Sequence, residues 1–170
     1  MRLGELREFS KVGFMISAIT EVRVRYQETD QMGVVYHGNY FTWFESARIE
    51  LLDQMECSYQ ELEKAGFLLP VLTCEARFIK PAKFDDRLQV TALIKTSPLA
   101  RIEIFYEVRR NEELLAKGAT SHAFVNEEGK LIKPPRDFLD KANKHFIDSP
   151  EDWRTSAKLN YSLEMINSTT

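Results

Sequence analysis

Residues 26–40 read YQETDQMGVVYHGNY, and residues 41–55 read FTWFESARIELLDQM. The two halves differ in kind. The second half carries Phe44, Ala47, Leu51 and Met55 in register with Tyr40 at helical spacing, and Phe41, Trp43 and Leu52 widen the apolar stripe. A helix so apolar must be largely surrounded by protein. Asn39 is a residue type suited to capping its N-terminus. The first half has no period. It holds Gly33, which can take a positive φ and turn the chain sharply, followed by two valines that anchor the loop. The stretch therefore predicts a tight loop feeding a buried helix from Tyr40 to about Met55.

Upstream, residues 20–28 (TEVRVRYQE) alternate Val22, Val24 and Tyr26 with charged neighbours, which predicts a half-buried strand. Downstream, residues 58–65 (SYQELEKA) predict a short helix capped by Ser58 and stopped by Gly66. The period then changes. LLPVLTCEARFI (68–79), RLQVTALIKT (87–96), RIEIFYEVRR (101–110) and LLAKGATSHAFV (114–125) predict four strands. Leu88, Val90, Ala92 and Ile94 share one face, as do Ile102, Ile104, Tyr106 and Val108. The short links KPAKFDD, SPLA and NEE predict antiparallel neighbours throughout. A loop at 126–135 and a closing helix, Arg136–Phe146, complete the pattern. Strand, long buried helix and a run of antiparallel strands together predict an α+β domain.

The bulk numbers narrow the class. A chain of 170 residues, 44% apolar, fits one domain with an ordinary core. A net charge of −3 gives no basic field to hold nucleic acid, so an anionic ligand needs local basic groups. No apolar stretch is long enough to span a bilayer. The opening MRLGELREFSKVGF lacks the apolar core of a secretory signal. Cys57 and Cys74 make no metal-ligand spacing with the three histidines, and free buried thiols in a reducing cytoplasm are expected. The expected organisation is an N-terminal extension over 1–18, one domain over 19–147 and a C-terminal extension over 148–170.

The loop also carries the chemistry. The first N–H groups of a helix lack internal partners and sit at the positive end of its dipole. An oxygen gaining negative charge is stabilised there. Asp30 stands nine residues before Asn39, on the other limb of the glycine turn. A carboxylate facing an oxyanion site is what hydrolysis of an activated ester needs.

The pattern T-D-x-x-G-V-V-Y-H-x-N-Y, with YFTWFESARIELL, FIKPAKFDDRLQV and GKLIKPP behind it, resembles the 4-hydroxybenzoyl-CoA thioesterase family of hotdog proteins, nearest the acyl-CoA thioesterases associated with the Tol-Pal system. The resemblance spans roughly residues 20–140. It implies a hotdog fold, a curved antiparallel sheet wrapped around one long central helix. It implies hydrolysis of acyl-CoA to a carboxylic acid and coenzyme A without cofactor or metal. Asp30 matches the catalytic aspartate and Gly33 the turn glycine. His37 matches the position whose backbone N–H polarises the thioester carbonyl. Asn39 and Tyr40 match the residues that open the helix, and Tyr36 and Gly38 fall within the same substrate-binding segment. Family members are dimers, usually assembled into tetramers, with each site at a subunit interface.

Other residues read differently. Asp30 without its motif is an ordinary turn residue. Glu45 and Arg48 are spaced for an i, i+3 ion pair on the helix surface. His122 reads as a satisfied strand histidine, and His145 as a charge suited to a helix C-terminus. Lys80 and Lys83, and with them Arg77, Arg101, Arg109 and Arg110, are candidates for the nucleotide phosphates, although alternating charges on a strand usually mark a solvated face. Tyr36, Phe41 and Phe44 either line a pocket or fill the core. A non-catalytic module binding acyl-CoA or an acyl carrier protein is the alternative reading, since one fold hosts several functions.

Overall fold

The computed structural model describes residues 16–96, 98 and 101–146. Five strands form one antiparallel sheet: β1 (Ile16–Arg23), β2 (Val71–Phe78), β3 (Arg87–Ile94), β4 (Arg101–Arg110) and β5 (Glu113–Ala123). Their order across the sheet is β1-β3-β4-β5-β2. Among the described residues three α-helices accompany it: α1 (Asn39–Gln54), α2 (Tyr59–Lys64) and α3 (Arg136–Lys144). The residues proposed as terminal extensions lie outside the described residues, apart from Ile16, Ser17 and Ala18, which open β1.

The period-two pattern of β3 and β4 holds. Leu88, Val90, Ala92 and Ile94 are buried, as are Ile102, Ile104, Tyr106 and Val108. Register then decides where α1 can lie. Ala18 faces Ala92, Ala92 faces Tyr106, Tyr106 faces Gly118, and Gly118 faces Ala76. This row of mostly small residues forms a shallow trough across the sheet. Phe44 of α1 stacks on Tyr106 at 4.4 Å between ring centroids with 15° between planes. A Cβ built on Gly118 would come within 2.4 Å of the Phe44 ring, so only glycine admits this approach. Ala47, Leu51 and Leu52 follow on the same helix face and are fully buried. Each buried leucine contributes roughly 1.5–3 kcal/mol relative to leaving it in water.

Several expectations need correction. The first strand runs Ile16–Arg23 rather than 20–28, and Tyr26 begins a 3-10 turn, Tyr26–Glu28, with its ring exposed. The alternation of valines continues past the strand because Val24 still turns inward, held by its N–H to the Asp86 carbonyl. Short links give neighbouring strands for β3–β4 and β4–β5 but not for β2–β3, because β2 pairs with β5 at the sheet edge. The intervening eight residues can reach roughly 26 Å when extended. That exceeds the three strand spacings, about 14 Å, that separate β2 from β3 in the sheet. Cys74 is exposed on β2 rather than a core residue, while Cys57 is buried, and both thiols are free. Ser58 occupies the N-cap position of α2 without a side-chain hydrogen bond.

Candidate active site

The loop between β1 and α1 is built as two limbs. Thr29 and Val35 face each other across an isolated antiparallel bridge. Between them the Asp30 N–H donates to the Val34 carbonyl at 2.9 Å, and the Gly33 N–H donates to the Asp30 carbonyl at 2.9 Å. Gly33 takes φ +73°, where a Cβ is strained. The Asp30 carboxylate accepts the Met32 N–H through Oδ1 at 2.8 Å. This is the turn that aspartate commonly makes. Here it also fixes the side chain while leaving Oδ2 without a hydrogen-bond partner among the described residues.

The second limb delivers the helix mouth. The Tyr36 N–H donates to the Glu28 carbonyl at 2.9 Å, and the Asn39 amide Nδ2 donates to the same carbonyl at 2.8 Å. Asn39 therefore does not cap the helix, as its residue type predicts. Gly38 stands at the N-cap, and the Asn39 side chain is spent on tying the mouth to the first limb. The next N–H groups close the first turn: Asn39 to Tyr36, Tyr40 to His37, Phe41 to Gly38. This leaves the His37 and Gly38 N–H groups without acceptors among the described residues. Two free donors at a helix N-terminus, where the dipole is positive, form a ready site for a developing oxyanion.

A groove of about 250 Å³ opens beside this mouth, lined by Val34, His37, Tyr40, Phe78, Ile79 and Lys80 among others. The His37 ring is exposed and lies against the Tyr36 ring, 4.3 Å between centroids. Tyr40 is buried behind it, and that burial raises its hydroxyl pKa, so it stays a neutral wall. The Val35 N–H donates to the Ala82 carbonyl at 2.9 Å, which sews the β2–β3 link to the loop. That link thus closes one side of the mouth.

The predicted residues divide. Tyr36, His37, Gly38 and Asn39 gather at the mouth, Gly33 stands in the turn beside Asp30, and Lys80 lines the groove. Lys80 is paired with Glu113 at 2.6 Å. Glu113 also holds Arg110, which reaches Asp86 at 2.7 Å. Lys83 is exposed and does not line the groove; its backbone N–H donates to Asp86. Asp30 is half-buried and does not line the groove wall either. The Glu45–Arg48 pair is not formed. Arg48 turns inward, donates to the Leu69 carbonyl at 3.2 Å and lies over the Tyr59 ring at 5.0 Å, leaving Glu45 exposed. Arg109 is engaged by Glu107. Phe44 is core, Phe41 is partly buried against it, and Tyr36 is exposed.

Two features escape the sequence reading. His122 is only half satisfied. Its Nε2 is 2.7 Å from the Thr120 hydroxyl, which is 2.9 Å from the Tyr106 hydroxyl, while Nδ1 has no partner. Glu28 is buried within the loop itself, and its only sequence signal is an acid placed two residues before Asp30. Among the described residues, no three of histidine, cysteine, aspartate or glutamate gather as a metal site, and no helix is long and apolar enough to cross a membrane.

Comparison with known proteins agrees with this architecture. Residues 24–142 match the model of the thioesterase-like superfamily. A putative acyl-CoA thioesterase of Bacillus subtilis is 35% identical over 109 residues, 64% of this chain and 79% of that protein. An acyl-CoA thioesterase of Haemophilus influenzae is 35% identical over 106 residues, 62% of this chain and 78% of that protein. The crystal structure of a 1,4-dihydroxy-2-naphthoyl-CoA thioesterase from Synechocystis superposes with a TM-score of 0.69 at 28% identity, covering 79% of this chain and 99% of the other. The antiparallel five-stranded sheet with its helices is the hotdog thioesterase arrangement of such neighbours, and the chain is an enzyme that belongs to the thioesterase-like superfamily.

Proposed function

We propose that this enzyme hydrolyses acyl-coenzyme A thioesters, with the carbonyl seated at the mouth of α1. The observation that carries the reading is the pair of free N–H groups on His37 and Gly38, facing a loop whose other limb holds Asp30. The thioester oxygen accepts from the His37 N–H, and negative charge developing on it is stabilised by the helix end. Asp30 then acts as the base that activates water, or attacks the carbonyl and expels the coenzyme A thiolate to give a mixed anhydride that water hydrolyses. The His37 ring is packing against Tyr36 rather than an essential acid. The scheme needs no metal or cofactor. Lys80 and the exposed Lys83 serve the nucleotide phosphates, with Lys80 exchanging Glu113 for phosphate. Helix α1 is the central helix around which the sheet curves, a reading supported by the complete burial of Ala47, Leu51 and Leu52. The motif at 29–40 supports a place near the Tol-Pal-associated branch.

A second copy of the chain completes the site in this reading. β2 pairs only with β5 among the described residues, so its other edge presents backbone groups to solvent. Val71 and Leu72 at one end of it, and Phe78 and Ile79 at the other, are exposed. An apolar unpaired edge of this kind invites strand pairing. The groove opens along the same edge, so a partner strand would wall it and give a homodimer, with pairs of dimers forming a tetramer.

Release of free thiol from short, long and aromatic acyl-CoAs tests the activity. Asp30→Asn is expected to reduce turnover by on the order of 10² to 10⁴ while the fold survives. Full turnover in that variant would sink the assignment. Binding of acyl-CoA without thiol release from any of them would favour the non-catalytic module. Single turnover in heavy-oxygen water separates the two roles of Asp30 where water opens the mixed anhydride at the Asp30 carbonyl, since that leaves the enzyme's own oxygen in the product and solvent oxygen in Asp30, whereas a general base puts solvent oxygen in the product directly.

A further inference from the structure

We propose that Glu28 is a positioning residue, a clamp that sets the Asp30 limb at its working distance from the helix mouth. The inference rests on the hydrolytic reading above for its consequence, but its geometry stands independently. Glu28 is 4% exposed and is the only acidic residue buried among the described residues. Burying a carboxylate is costly unless its oxygens are satisfied. Here they are. Oε2 accepts the Arg25 N–H at 2.7 Å. Oε1 accepts Arg25 Nη2 at 3.0 Å and the Trp43 indole N–H at 3.2 Å. Burial pushes its pKa up, but these hydrogen bonds from Arg25 and Trp43 outweigh burial and hold it below the ordinary carboxylate value. Glu28 therefore stays charged at neutral pH, and with both oxygens engaged it is not a second base.

The clamp works through both ends of the residue. The side chain is fastened to Trp43, in the second turn of α1. The main-chain carbonyl is fastened to the Tyr36 N–H and the Asn39 amide, on either side of the free His37 and Gly38 donors. Asp30 follows two residues later along the same limb. One residue thus ties the strand side of the loop to the helix side at three points, and the free donors lie between two of them. A misplacement of about 1 Å between reacting groups can cost on the order of 10²-fold in rate.

Glu28→Gln is the direct test. The Arg25 N–H and the Trp43 indole bond different carboxylate oxygens, and glutamine replaces one of these with an NH2 donor, so one of the two N–H groups is left facing a donor. Amide hydrogen exchange, read residue by residue, should accelerate by about tenfold or more for Asp30, Gly33, Val35 and Tyr36, while β3 and β4 amides keep their rates. On a substrate the wild type hydrolyses, kcat should fall by roughly 10- to 100-fold with KM little changed. Arg25→Ala is a milder variant that keeps the Arg25 N–H and removes only the guanidinium bond. It should accelerate the same amides to a smaller degree. Uniform acceleration across the sheet would mean a merely structural role, and unchanged exchange in the loop would mean no clamp; either overturns the proposal. If the wild type hydrolyses no thioester, the hydrolytic reading falls, and exchange still decides whether Glu28 clamps the loop.

Discussion

His122 is expected to make the stability of this protein sensitive to mild acid, and the size of the effect follows from its surroundings. The residue is 0% exposed near the end of β5, between Ile102 of β4 and Val71 of β2. Its Nε2 lies 2.7 Å from Thr120, and Thr120 lies 2.9 Å from the Tyr106 hydroxyl. Burial disfavours the charged ring, and the cation of Arg48 adds to this; the Leu69 and Pro70 carbonyls favour the charged form, but neither closes a hydrogen bond on Nδ1. The net result is a pKa pushed down from 6.5 to about 4. Between those values the unfolded chain takes up a proton that the folded protein refuses. Stability is therefore intact above the ordinary histidine pKa and is lost as pH falls, until the folded pKa is reached. Each unit corresponds to about 1.4 kcal/mol, so the whole interval amounts to at most about 3 kcal/mol. That is a large part of the 5–15 kcal/mol typical of a native domain.

The assay is urea denaturation at fixed protein concentration across pH 4 to 7.5, comparing the wild type with His122→Gln. Glutamine can still bond Thr120 but does not titrate. Between pH 6 and 5 few carboxylates change state, so the wild type should lose about 1.2 kcal/mol over that unit and the variant close to none. The variant's lower stability at neutral pH does not enter, because the slope is what is read. Equal slopes in the two proteins would refute the buried-neutral assignment. So would a wild-type stability that is flat from pH 6.5 to 4.

Gly118→Ala places a methyl 2.4 Å from the Phe44 ring and 3.1 Å from the Glu75 carbonyl, and should destabilise by about 1–3 kcal/mol in urea titration. An unchanged midpoint would mean that Phe44 does not sit in the trough. Gly33→Ala meets no atom within 4 Å but is forced to φ +73°, so it should cost about 1–2 kcal/mol and lower kcat more than it raises KM. Steady-state kinetics with a parallel melting curve checks both parts. Cys57 is buried and its thiol is pushed up to about 11, so alkylation near neutral pH should label the exposed Cys74 first. Mass spectrometry after partial labelling decides it, and early loss of Cys57 would contradict its packing.

What was legible in the chain depended on how local the physics was. The faces of β3 and β4 could be read because side-chain direction alternates with every residue, whatever the partners are. The body of α1 could be read because Phe44, Ala47, Leu51 and Met55 repeat at its own pitch. The loop motif could be read because turn chemistry and helix ends obey local rules, and Tyr36, His37, Gly38 and Asn39 do gather at the mouth. What failed was set by distant partners. No local rule says that β2 crosses to the far side of β5, because that choice depends on which edge is vacant once β3 and β4 have paired. Arg48 has the spacing for a surface ion pair, yet it turns inward because the Leu69 carbonyl and the Tyr59 ring, 21 and 11 residues away in sequence, offer it a place in the interior. Asn39 looks like a cap, but the Glu28 carbonyl, 11 residues upstream, competes for its amide and wins. The same competition explains why the site's buried acid was missed. Glu28 differs from any surface glutamate only through Trp43, 15 residues on, and that contact exists only after the loop has closed on the helix. The residues gathered at the mouth of α1 could be found from motif and turn chemistry, whereas a residue such as Glu28 that ties the loop to the helix is defined by long-range closure, which sequence spacing does not encode.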